Sequence, residues 1–152
     1  MTGVQTCALP IWLHLPAIRA GVTARQALAG VAAVVGMYVT TALLHGAPVV
    51  PATALLVVAA VITWCVLGDT AGALCGAVIA VVGPAVEIGL VEAGVFAYNP
   101  GSDGLFGVGP FLVPLYFAFG VVVALLGELA VARRPGVAAP VCDTVSRVPG
   151  AG

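Results

Sequence analysis

The chain has 152 residues, 62% hydrophobic and 7% charged, with a mean hydropathy of +1.21. Water-soluble domains carry roughly a quarter charged residues, so a soluble monomer is excluded. A net charge of −1 and the absence of lysine leave no basic footprint for a nucleic acid.

All five basic residues lie towards the two ends: Arg19, Arg25, Arg133, Arg134 and Arg147. The apolar stretch between them predicts an all-α, integral membrane helical bundle with four transmembrane helices. Residues 1–11, MTGVQTCALPI, resemble the translation of a sequencing-library adapter whose last base opens the Trp12 codon. Residues 1–12 are therefore expected to be an artefact, to be set aside from fold reasoning. Native sequence would then begin near Leu13 and could extend further upstream.

Residues 13–26 mix apolar residues with two arginines and read as a cytoplasmic or interfacial segment. A first span is predicted over 27–44. His45, Pro48 and Pro51 mark a turn, because two prolines so close prevent one continuous helix. The second span is placed at 52–67. The Gly68-Asp69-Thr70 connection is so short that the next helix is expected to run antiparallel beside the second, with Asp69 or Thr70 as its cap. The third span, 71–97, is long for a hydrocarbon core of about 30 Å and must tilt or bend. Gly83-Pro84 supplies the bend. A polar turn cluster over 99–104 precedes a fourth span at 110–132, which Arg133-Arg134 stops. The Pro/Gly/Ala-rich tail, 133–152, is expected to be disordered and cytoplasmic. Neither turn on the opposite side carries Lys or Arg, so the positive-inside rule puts both termini in the cytoplasm, most simply at a bacterial plasma membrane.

Few residues carry candidate chemistry. Gly68, Gly72, Gly76 and Ala80 form a small-residue ladder on one helix face, which admits close backbone approach within the chain or between subunits. Glu87 lies near the centre of the third span, where a bare carboxylate costs several kcal/mol. It is expected to face the interior, protonated or hydrogen-bonded. Helical spacing puts Tyr98, eleven residues on, on the face of Glu87, and rotates Glu92 away. The two acids therefore do not form a catalytic pair. The four cysteines show no CxxC or Cys/His spacing, so no disulfide framework, metal site or cofactor is expected. No nucleophile–base set points to an enzyme.

The run Gly94-Val95-Phe96-Ala97-Tyr98, Asp103 and Leu105, FLVPLYFAFG over 111–120, and Leu126-Gly127 together resemble the last helical hairpin of the Insig (insulin-induced gene) family. Upstream, Gly72 and Gly76 fall on that family's glycine-rich helix start, Trp64 on a tryptophan ending the preceding helix, and Gly36 on a glycine of the helix before. The resemblance implies six membrane helices with cytosolic ends, of which this chain would hold the last four. It implies a non-enzymatic role: animal members bind sterols and retain partner membrane proteins, and bacterial relatives look like lipid binders. Asp69 falls within a residue of an acidic position that serves partner binding in the family. The polar Asn and Arg of the family's final helix are replaced here by Val123 to Glu128.

These readings converge on a lipid-binding membrane protein, with Glu87, Tyr98, Gly72 and Gly76 lining or abutting the lipid cavity and Asp69 as a partner contact. Two alternatives stay open. One is a small transporter or channel component using Glu87. The other is a structural subunit that self-associates, or joins other membrane proteins, through the Gly68/Gly72/Gly76 ladder.

Overall fold

The computed structural model describes residues 22–133 except positions 45, 99, 100 and 102. The adapter-like residues 1–12, most of the 13–26 segment and all of the tail beyond Arg133 lie outside the described residues. Four helices result: α1 (Ala24–Leu43), α2 (Val49–Leu67), α3 (Thr70–Glu92) and α4 (Leu112–Ala132). Each is long and apolar enough to cross a bilayer.

Helix ends follow from local chemistry, and this moves several of the expected boundaries. α1 starts before residue 27 because Thr23 and Gln26 form a capping box. The Thr23 hydroxyl accepts the Gln26 N–H at 3.3 Å, and the Gln26 side-chain oxygen accepts the Thr23 N–H at 2.9 Å. α2 starts at Val49, ahead of Pro51, because a proline in the first turn has no helical acceptor to forgo. At the start of α3, Asp69 Oδ1 accepts the Gly72 N–H at 2.7 Å, as expected of a capping acid. Asp69→Ala should lower stability by about 1 kcal/mol and Asp69→Asn by only a few tenths, read from thermal unfolding in detergent micelles.

α3 runs unbroken through Pro84 but stops at Glu92, five residues short of the expected end. Gly94 takes φ +71°, the Val95 N–H bonds to the Leu90 carbonyl at 3.0 Å, and the Gly94 N–H to Val91 at 2.9 Å. That pair of bonds is a Schellman cap, which satisfies the last free carbonyls and turns the chain out of the helix. Beyond it, Leu105 and Val108 exchange both backbone hydrogen bonds, at 2.9 and 3.0 Å, around Phe106 (φ +50°) and Gly107 (φ +87°). Left-handed backbone of this kind costs a non-glycine residue roughly 1–2 kcal/mol.

α4 is the centre of the bundle. It packs against each of the other three helices, whereas α1 meets only α2 and α4 over any length. α3 makes its helix interface with α4, not with α2, although the Gly68-Asp69 link makes α2 its neighbour in sequence. The glycine ladder is the reason. A Cβ at Gly76 would lie 2.8 Å from the Phe117 carbonyl oxygen, and one at Gly120 would lie 2.7 Å from the Gly76 Cα. Backbone therefore meets backbone where α3 crosses α4, and α4 occupies the face offered as a possible subunit contact. Trp64 closes the α2–α3 corner: its ring nitrogen donates to the Asp69 carbonyl at 3.1 Å and its ring meets Phe117 edge-on. Leu56, Val108, Ala118 and Val121 form the fully buried centre. The outward faces, Val57, Val58 and Ile62 on α2 and Leu74, Val78 and Val81 on α3, are apolar and exposed, as lipid-facing surfaces are.

Candidate functional site

Because α1 and α3 stand apart on α4, a cavity of about 660 Å³ opens between them. Its floor is Leu112, Leu115, Tyr116 and Phe119 of α4, with Ala52 and Leu56 of α2. One wall is Val34, Val35 and Tyr38 of α1; the other is Glu87 of α3 with Ala97 and Tyr98 of the following connection. The chain has three tyrosines, and all three line this cavity.

The polar groups converge on Glu87. Tyr116 donates its hydroxyl hydrogen to Glu87 Oε1 at 2.6 Å, and Tyr98 donates to Oε2 in a short hydrogen bond. Two phenols thus satisfy the two carboxyl oxygens of a half-buried acid, and among the described residues no basic side chain lines the cavity beside it. Tyr98 lies beyond the end of α3. Burial first, then its hydrogen bond to Glu87 and that group's charge, push its phenol well above the usual range, so it remains a donor.

Gly83 sets up this arrangement. A Cβ there would fall 2.6 Å from the Tyr116 ring, so the missing side chain lets the ring lie on the α3 backbone. Four residues on, one turn along the same face, Glu87 meets the hydroxyl.

The expected site residues separate accordingly. Glu87 and Tyr98 are together in the cavity wall, but not by sharing a helix face: α3 has ended, and the connection folds back to deliver the phenol. Gly72 and Gly76 do not line the cavity; they are buried in the α3–α4 contact. Asp69 sits at the opposite end of α3, in the tight α2–α3 corner. Tyr116 and Tyr38 were not singled out as site residues from the sequence. The available signal was the rarity of polar side chains in an apolar chain, which makes each intramembrane tyrosine informative. Among the described residues no three metal-ligating side chains come together.

No family model matches the chain. A protein of Mycolicibacterium vanbaalenii described as an INSIG protein homolog is 74% identical over 153 residues, which cover all of this chain and 75% of that protein. The chain belongs to the Insig family. Two crystal structures of the Insig homologue MvINS from Mycobacterium vanbaalenii share its fold. One is 80% identical with a TM-score of 0.77. The other, a cross-linked trimer of a cysteine variant, is 78% identical with a TM-score of 0.78. Each match covers 81% of this chain, and the chain spans 65% of the length of each crystallised Insig chain. The Insig resemblance of the last hairpin and the four-helix membrane architecture are therefore both correct.

Proposed function

We propose that this Insig homologue is a non-enzymatic lipid-binding protein whose cavity holds an uncharged amphiphile bearing a hydroxyl group. The reading rests on one observation: three tyrosines and Glu87, with Thr41, gather in a mostly apolar cavity of ligand size. Val34, Val35, Phe111 and Phe119, which line the cavity and keep exposed surface, offer contacts for acyl or ring carbons. The phenol oxygens, having donated their hydrogens to Glu87, keep lone pairs that can accept from a ligand hydroxyl. An anionic headgroup would meet an acid, and among the described residues that line the cavity it would find no cation.

Native mass spectrometry of the full-length protein after mild detergent extraction tests this. A neutral lipid adduct is expected; a protein that retains no lipid would count decisively against the reading. Gly83→Ala should drive the Tyr116 ring away from Glu87 and lower lipid occupancy about tenfold, equivalent to about 1.4 kcal/mol, with the helices still assembled.

Self-association is a second reading, favoured by the cross-linked trimer of the MvINS relative. It would use a surface other than the Gly68/Gly72/Gly76 ladder, which α4 covers. Cytoplasmic termini in the plasma membrane remain part of the proposal, on the charge asymmetry alone; reporter tags at both ends would check them.

A further inference from the structure

We propose that the Leu105–Val108 hairpin between α3 and α4 is a membrane-interface anchor, with Phe106 at its tip inserted among lipid headgroups and upper acyl chains. Both central residues of this two-residue turn have positive φ, the geometry of a type I′ turn. Such turns favour Asn, Asp or Gly at the first central position. Here a bulky aromatic occupies it and remains 81% exposed. The stem of the hairpin is fixed, because Val108 is fully buried and Leu105 packs against the core. Strained backbone and an exposed ring therefore come together on a stem the core holds, and the described residues leave the ring uncovered.

The depth of the tip follows from helix length. α3 has 23 residues and is about 35 Å long, slightly more than the roughly 30 Å hydrocarbon core, so its end reaches the headgroup layer. The described part of the connection before residue 99 is tied back to the bundle. Tyr98 bonds back to Glu87, more than one turn inside the end of α3, and draws the chain down onto the bundle. Val95 and Phe96 on the same connection are exposed too, at 65% and 38%. Between Glu92 and Arg133 the sequence has two acids, Asp103 and Glu128, and only Asp103 lies on the connection. Asp103, exposed three residues from Phe106, keeps this level in the headgroup layer, where a carboxylate stays hydrated. A single ring on a convex two-residue tip offers far too little area for a stable protein interface, which buries on the order of 1,200 Å² or more. It suits the lipid boundary, where apolar side chains of peripheral anchors insert.

The test places a benzophenone-bearing phenylalanine at position 106 of the full-length protein in phosphatidylcholine vesicles, followed by irradiation and intact mass measurement. A phosphatidylcholine adduct is the expected product, while the same group at position 108 should give products only within the chain. Crosslinks from position 106 to the same chain or to another copy, or recovery of unreacted protein, would each overturn the proposal. Should the label prevent assembly, Phe106→Trp gives a second measurement. Its added fluorescence should be lost with brominated phosphatidylcholine and unaffected by aqueous iodide; the reverse pattern rejects the anchor. Neither experiment depends on what the cavity holds.

Discussion

Alanine at Gly76 or at Gly120 is expected to lower the stability of the bundle by about 1–3 kcal/mol, the range for overpacking a filled contact. The clash at Gly76 is with a carbonyl oxygen 2.8 Å away, and at Gly120 with the Gly76 Cα at 2.7 Å and the Cys75 carbonyl at 2.9 Å. Backbone cannot rotate aside as a long side chain can, so the two helices must separate. Separation weakens every contact along the α3–α4 interface, since each atom pair loses much of its attraction within an ångström. One separation accommodates both new methyl groups. The double variant should therefore cost less than the sum of the singles, with a coupling of about 1 kcal/mol in a double-mutant cycle. Gly36 and Gly89 are the controls: each lies in a helix, and a methyl group added there would meet nothing within 4 Å. Alanine at either position should be neutral or gain a few tenths of a kcal/mol to about 1 kcal/mol from helix preference. Unfolding of purified protein in mixed micelles gives all five values. Equal losses at Gly36 and Gly76 would contradict the close backbone crossing.

The four spans were legible because apolar runs of the right length are interrupted by residues with a clear physical effect: the Pro48/Pro51 pair, Asp69, the polar cluster over 99–104 and Arg133. A cap at Asp69 or Thr70 was legible for the same reason, since a short polar side chain ahead of a helix accepts from its free N–H groups; the structure selects Asp69. The end of α3 was not. Gly94 sits in an apolar run, and its left-handed conformation shows only in the backbone. Tyr98 was consequently paired with Glu87 by helical spacing, whereas a folded-back connection brings them together. The Glu87–Tyr116 bond joins residues 29 apart, and no local pattern encodes it. It depends on the register of α3 against α4, which the glycine crossing sets. The same limit explains why Gly72 and Gly76 could be assigned to a cavity: a small-residue face marks a close approach but does not say to which helix.

Glu87→Ala is expected to cost roughly 2–4 kcal/mol, because it removes the acceptor of two phenols at once. Each stranded hydroxyl, only half-buried, costs about 1–2 kcal/mol, the lower part of the range for buried groups. Tyr98→Phe and Tyr116→Phe should each cost less, about 1 kcal/mol, because the acid keeps its other donor. Glu87→Gln should fall between these, since an amide presents one oxygen acceptor where the carboxyl group presents two oxygens. The decisive variant combines Glu87→Leu with both tyrosine-to-phenylalanine changes. It leaves no unpaired polar group, and replacing all partners of a buried polar set by apolar ones of similar shape is close to neutral. Its stability should return to within about 1 kcal/mol of the parent. If the cluster serves only to hold the connection against the bundle, lipid retention should recover along with stability. If it recognises a ligand hydroxyl, retention should stay low while the protein unfolds at nearly the parental temperature. Thermal unfolding and native mass spectrometry on the same set of proteins separate these outcomes, because a structural loss moves both measurements and a recognition loss moves one.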